Sequence, residues 1–247
     1  MALPSAPLSI EPIARSHAAD EIFDQLAAAL LKGDLPIGAA LPPERVLAER
    51  FGVSRIIARQ AVHKLAEMGL VRVRQGGTTV VLDPEQSSDL RVIELMYRLG
   101  PSTAGDVLDF TERQLLNGEV LLRVAARRAS RAELEAIAAI VEAYCASGAA
   151  EAELTEFEER FWRAVARAGK NRLCIFEVNW WFKLLAEQPR AQHPIVAPPH
   201  IRVAVLRELA RRLIAGEDAA GFYLKMITPM IDHVEHTART KRPRRKR

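Results

Sequence analysis

Two short helical patterns separated by a sharp break lie in residues 41–68, and their spacing limits the possible folds of this 247-residue chain more than any other feature. The first pattern, in LPPERVLAERFG, places its apolar residues at helical intervals and ends at Gly52. The second begins after Ser54, a residue type that caps helix N-termini, and continues to about Met68. Two helices joined by a short turn that contains glycine form a helix-turn-helix.

The segments on either side extend this unit. Residues 17–32 have the apolar stripe of an amphipathic helix. After Met68 the pattern changes to the alternation of LVRVR, turns at Gly76 and Gly77, and resumes at residues 79–81, which predicts a β-hairpin. Helix, helix-turn-helix and hairpin in this order form a winged helix-turn-helix, and we assign residues 1–82 to this domain.

The rest of the chain is predicted to be helical. Residues 83–89, DPEQSSD, are polar and contain one proline, so they are predicted to be a linker. Residues 90–240 carry a series of helical patterns without a β-alternating segment, and Ser130 and Glu133 form the Ser-x-x-Glu capping box of one helix. The predicted fold is therefore mainly α, an N-terminal winged helix-turn-helix followed by a C-terminal all-α helical bundle.

Positive charge is concentrated in two places. The tail at residues 241–247, KRPRRKR, carries six basic residues and is either a solubilising end or an additional nonspecific phosphate contact. In residues 41–80, seven Lys and Arg residues against three acidic residues leave a net charge of +4. This local excess coincides with the helix-turn-helix and is typical of a DNA-binding unit.

The composition favours a globular protein outside the membrane. Hydrophobic residues make up 49% and charged residues 27% of the chain, and no stretch approaches the ~20 apolar residues of a membrane span. The N-terminus lacks the charged start and long apolar centre of a secretory signal. Cys145 and Cys174 have no metal-ligand spacing and are expected to be free thiols. We expect a cytoplasmic protein.

Residues 41–81 resemble the DNA-binding domain of GntR-family bacterial transcription regulators. The resemblance covers the Leu-Pro-Pro-Glu-Arg start, the Gly-Val-Ser-Arg turn, the Arg-Gln-Ala segment, the Gly-Leu-Val strand start and the Gly-rich wing. The all-helical second half is similar to the FadR subfamily, in which a ligand-binding bundle controls a homodimer. The resemblance implies a regulator, expected to be a repressor, that binds a palindromic double-stranded DNA operator.

The expected DNA contacts come from three parts of this unit. Arg55 and Arg59 lie four residues apart on one helix face, where arginine can read guanine O6 and N7 in the major groove. Ser54 is placed to bond a phosphate or base edge, and Arg45 matches a DNA-contacting arginine of the family. The wing tip is expected to approach the minor groove through its residues Gln75, Gly76 and Gly77.

The resemblance also bears on metal binding by the second domain. Many FadR-subfamily bundles hold a metal ion with an Asp, a His four residues later and two further histidines. Here Glu158 stands at the Asp position, Trp162 at the first His position and Leu206 near the second. Tryptophan cannot ligate a metal, so we expect no metal cofactor.

A metal-free bundle resembles the branch of the subfamily that responds to long-chain acyl-CoA or fatty acids. Arg113 matches the family arginine that faces the effector cavity, and Phe176 and the tryptophans supply apolar surface. The expected effector contacts are Arg113, Trp162, Trp180 and Trp181. A small organic acid as effector, or a DNA-binding protein without a ligand, are the alternatives. The second half has no Gly-rich phosphate loop or nucleophile elbow, so an enzyme is not expected.

Overall fold

The computed structural model describes residues 17–74, 77–99, 104–148, 153–186 and 197–240. The chain forms two compact units, Met1–Leu99 and Gly100–Arg247. The described residues contain ten α-helices and one two-stranded antiparallel sheet. This confirms the predicted fold class, mainly α with an N-terminal winged helix-turn-helix and a helical second half.

The first unit has three helices, a hairpin, a 3-10 turn and a fourth helix. Their bounds are α1 His17–Leu31, α2 Glu44–Phe51, α3 Arg55–Glu67, β1 Val71–Arg72, β2 Val80–Val81, the 3-10 helix Pro84–Gln86 and α4 Arg91–Leu99. One apolar core joins them, and Ala58, Ala61, Val62 and Leu65 supply the contribution of α3.

Two residues determine where the turn between α2 and α3 begins and ends. Gly52 ends α2 with a φ of 66°, a left-handed conformation that glycine adopts without steric cost. The Ser54 side chain then accepts a hydrogen bond from the backbone N–H of Ile57 at 3.4 Å and caps α3. The turn is therefore short, with α2 ended at Gly52 and α3 capped by Ser54.

The hairpin, or wing, is anchored to the segment before α2. Val71 pairs with Val81 and Arg72 with Val80. The backbone N–H of Val81 also donates to the Ala39 carbonyl at 2.9 Å, so residues near Ala40 extend the pairing on the far side of β2. Because this side of β2 is also paired, the short hairpin is held firmly at its base.

Residues 83–99 differ from the predicted organisation. Instead of a linker at 83–89 and a second domain from residue 90, a 3-10 turn follows the wing and α4 belongs to the first unit. Val92 and Leu95 of α4 are buried in the first core, and two N–H groups of Arg98 donate to the carboxylate of Asp24 on α1. The proline and polar residues that suggested a linker form the turn that leads into this contact.

The second unit is a bundle of six helices in its described residues. Their bounds are α5 Ala104–Arg128, α6 Arg131–Ser147, α7 Leu154–Ala168, α8 Arg172–Ala186, α9 Pro199–Ala215 and α10 Ala219–Thr240. The core includes the fully buried side chains of Leu122, Phe161 and Leu209. Among the described helices, none is long and apolar enough to cross a membrane.

Ser130 and Glu133 form the predicted capping box at the start of α6. The Glu133 backbone N–H donates to the Ser130 hydroxyl oxygen at 3.3 Å, and the Ser130 backbone N–H donates to the Glu133 carboxylate at 2.7 Å. These bonds from Ser130, with Lys170 nearby, lower the pKa of Glu133 to about 2. The carboxylate therefore stabilises the fold above its ordinary pKa, and this contribution is lost as the pH falls towards 2.

We expect Ser130→Ala to lower the free energy of unfolding by about 1 kcal/mol, because the first turn of α6 loses its cap. The measurement is urea denaturation at pH 7, with Ser130→Thr as the control that keeps the hydroxyl. Equal losses in the two variants would show that the cap contributes nothing.

Candidate nucleic-acid interface and effector region

The exposed face of α3 carries the two arginines that the sequence singles out. Arg55 and Arg59 are both exposed and lie one turn apart, and neither has an ion-pair partner among the described residues. The opposite face of α3 is buried in the core of the first unit. Two guanidinium groups on one free helix face are therefore available to an external acceptor, such as the edge of a guanine.

Ser54 and Arg45 have partners within the chain. The Ser54 oxygen caps α3, while its hydroxyl proton remains available to a phosphate. Arg45 forms a 2.5 Å ion pair with Glu49, one turn further along α2. Both side chains of this pair are more than half exposed, so the pair is weak and a phosphate could replace Glu49.

The wing is partly described. Gln75 and Gly76, two of the three predicted tip contacts, lie outside the described residues. Gly77 is exposed, and a Cβ on it would lie 3.1 Å from the Cβ of Arg74. A side chain at Gly77 would therefore crowd Arg74, so glycine keeps this side of the wing narrow.

Three further residues share the exposed face of α3 and were not among the predicted contacts. Ile56, Gln60 and His63 are all exposed. The helical period that identifies the buried residues of α3 also places these three on the outer face, so the signal was present in the sequence. Ile56 carries no charge, so the positive charge that marks Arg55 and Arg59 does not mark it.

In the second unit, Arg113 forms an ion pair with Glu177 of α8. The predicted aromatic contacts separate into two groups. Trp162 packs edge-on against Phe161 and Tyr223, whereas Trp180 and Trp181 lie side by side on α8 with ring centroids 5.2 Å apart. Phe176, which was expected to supply apolar surface to a cavity, is instead exposed.

A largely buried ion pair lies between α7 and α9. The Nε–H of Arg202 donates to Glu158 Oε1 at 2.7 Å, and a second guanidinium N–H donates to Oε2. Only 24% of the Arg202 side chain and 18% of the Glu158 side chain are exposed. Burial raises the pKa of the Glu158 carboxyl, although the Arg202 hydrogen bond acts to lower it. Arg202 was not predicted from the sequence, because it is 44 residues from Glu158 and belongs to no local motif.

Polar groups also lie where α5 packs on α10. Asn117 is 4% exposed, and its Oδ1 atom has no hydrogen-bond partner among the described residues. At the next residue, Gly118, a Cβ would lie 2.6 Å from the ring of Tyr223, so the absence of a side chain lets this tyrosine reach α5. Burial and the charge of Glu158 both raise the pKa of Tyr223. The bundle interior is therefore less uniformly apolar than its sequence suggests.

The described residues contain no group of three or more His, Cys, Asp and Glu side chains that could hold a metal ion. At the positions compared with metal ligands, Glu158 pairs with Arg202, Trp162 packs on Tyr223, and Leu206 is buried in the core. His200, His233 and His236 are exposed, and His193 lies outside the described residues.

Comparison with known proteins identifies the class to which this fold belongs. Residues 18–81 match the model of the family described as bacterial regulatory proteins, gntR family. The "uncharacterized HTH-type transcriptional regulator Rv0494" of Mycobacterium tuberculosis is 34% identical over 211 residues, which cover 85% of this chain and 86% of that protein. The HTH-type transcriptional regulator Mce2R of M. tuberculosis is 38% identical over 122 residues, 49% of this chain and 51% of that protein.

A solved structure supports the fold alone. It is described as that of Lar, which controls the expression of the Listeria monocytogenes agr system. It aligns with 94% of this chain and 100% of its own with a TM-score of 0.51 and 16% identity.

The chain belongs to the GntR family of bacterial regulatory proteins. It is a DNA-binding transcriptional regulator and not an enzyme, as the sequence predicted.

Proposed function

We propose that this regulator is of the FadR type, binds a palindromic operator in the cytoplasm as a homodimer, and represses transcription until an effector binds its helical unit. The observation that carries the DNA-binding part is the pair of exposed arginines, Arg55 and Arg59, on the free face of α3. A single recognition helix covers only a few base pairs. Two copies of the first unit, related by two-fold symmetry, read a palindrome and double the number of base contacts.

We propose a separate role for each of the two units. The first unit contacts DNA through α3, with Ser54 and Arg45 on phosphates and Gln75, Gly76 and Gly77 at the minor groove. The helical unit binds the effector, and the two events are linked by a coupling free energy. An effector weakens operator binding only if it binds more tightly to the DNA-free arrangement of the protein than to the DNA-bound one.

For the effector, we propose a long-chain acyl-CoA or fatty acid that contacts Arg113, Trp162, Trp180 and Trp181. The aromatic residues of α7 and α8 support an apolar ligand. Arg113 already pairs with Glu177, so a carboxylate or phosphate of the ligand would have to replace that partner.

A small organic acid is the second candidate. It is favoured by the polar groups inside the bundle, because Arg202 and Asn117 offer charge and hydrogen bonding that an acyl chain cannot use. The two candidates differ in how affinity depends on ligand size.

We expect operator binding to weaken progressively as acyl-CoAs of increasing chain length are added. Each buried CH₂ contributes about 0.8 kcal/mol, so the acyl-CoA concentration for half-release should fall about fourfold for each further carbon that is buried. The measurement is a gel-shift titration on a duplex that the full chain selects from a randomised pool. Free CoA, lactate, gluconate and citrate are tested beside the series.

Two variants test whether Arg113 contacts the ligand. Arg113→Ala should blunt the acyl-CoA response without changing DNA affinity in the absence of ligand, while Glu177→Gln, which removes only the partner, should retain it. A response to a short acid alone would reject the lipid proposal in favour of the second candidate. A response to none of the compounds would favour a ligand-independent DNA-binding protein.

A further inference from the structure

Ile56 occupies the centre of the exposed face of α3. An α-helix turns about 100° per residue, which places Ile56 roughly 170° from the centre of the buried face formed by the core residues of α3. The residue is 70% exposed. On the helix surface it lies between Arg59 on one side and Gln60 on the other, both of them exposed.

An isoleucine in this position can recognise only one feature of a base pair. Its side chain has no hydrogen-bond donor or acceptor, so it cannot read the edges of guanine, adenine or cytosine in the major groove. Thymine alone presents an apolar group there, its 5-methyl. Residues near the N-terminus of a recognition helix contact base edges, and Ile56 is the second residue of α3.

We infer that Ile56 is a specificity-determining residue that packs against the 5-methyl group of a thymine in each half-site. The inference rests on the proposed operator interface and extends it, because the arginines select guanine by hydrogen bonds and Ile56 adds an apolar contact beside them. The operator half-site therefore combines guanine with a thymine whose methyl group faces α3.

The test removes the methyl group without changing base pairing. The full chain first selects a duplex from a randomised pool. Each thymine of that duplex is then replaced, one position at a time, by deoxyuridine, which lacks only the 5-methyl group. We expect one position per half-site to show about a fourfold loss of affinity, the effect of one buried methyl.

The same substitutions are measured with Ile56→Ala. This variant should bind the thymine and deoxyuridine duplexes equally, because the partner of the methyl group is gone. Since Ile56 is exposed, thermal unfolding of the variant should match that of the wild type. Ile37→Ala is the matched control: Ile37 is 64% exposed, lies in the same unit outside α3, and should keep the full deoxyuridine effect.

Two results would overturn the inference while leaving operator binding intact. One is a selected duplex in which no deoxyuridine substitution weakens binding. The other is an Ile56→Ala variant with an undiminished deoxyuridine effect. Failure of the full chain to select any sequence would overturn the proposed operator interface and this inference with it.

Discussion

Replacing Arg55 and Arg59 with alanine is expected to remove most of the sequence selectivity of DNA binding while leaving the fold intact. Each bidentate contact to guanine contributes about 1–3 kcal/mol, so the double variant should lose about 2–6 kcal/mol per half-site. Both side chains are exposed on α3, and the core residues of that helix are untouched. The thermal unfolding of the double variant should therefore match that of the wild type.

The way in which DNA affinity falls distinguishes an arginine that reads a base from one that contacts a phosphate. A base-reading arginine relaxes preference at one operator position when removed, whereas a phosphate-contacting one weakens binding to all sequences and reduces its salt dependence. The measurement is sequence selection from a randomised pool with each single variant, followed by affinities at several salt concentrations. Arg131→Ala, which removes an exposed arginine from the helical unit, is the control for net charge. Unchanged selected sequences for both single variants would show that neither arginine reads a base.

Replacing Arg202 with methionine is expected to destabilise the helical unit at neutral pH by about 3 kcal/mol. Breaking a buried ion pair from one side typically costs about 3–5 kcal/mol because the other charge is left without a partner, and the residual exposure of this pair favours the lower end. Glu158→Gln combined with Arg202→Met should recover much of the loss, since no buried charge then remains. Urea denaturation of the three variants measures the difference.

The stability of the same variant should fall as the pH rises. Burial already raises the pKa of Glu158 above its ordinary value, so its ionisation opposes folding. A carboxyl with a raised pKa in the folded state favours folding at low pH, and that contribution is lost as the pH rises through the folded-state pKa. Without Arg202 the pKa rises further, and Arg202→Met should lose stability from about pH 4.5 upwards relative to the double variant. Parallel pH profiles for the two variants would mean that Glu158 is not the titrating group.

Local signals in the sequence predicted the first three helices and the wing. Gly52 and Ser54 bound the turn because one adopts a left-handed conformation and the other caps a helix, and both effects act over a few residues. The same is true of the capping box at Ser130. These elements are predictable because the residues that determine them are neighbours in the chain.

Long-range contacts were not predictable in the same way. Arg202 reaches Glu158 only because α7 and α9 are folded together, and α4 docks by burying Val92 and Leu95 and pairing Arg98 with Asp24, 74 residues away. The exposed side of α3 was only partly predicted, because charge identified Arg55 and Arg59 while the uncharged Ile56 was not among the predicted contacts. Burial in the structure separates Ile56 from its neighbour Ile57, which packs against the core.

The docking of α4 has a consequence for building chimaeric regulators from this family. A first unit that is cut after the wing would lose Val92 and Leu95 from its core and would leave Asp24 without the guanidinium of Arg98. A junction after Leu99 keeps the first unit complete. Exchange of DNA specificity between relatives is therefore better made at that junction, with α4 transferred together with the helix-turn-helix.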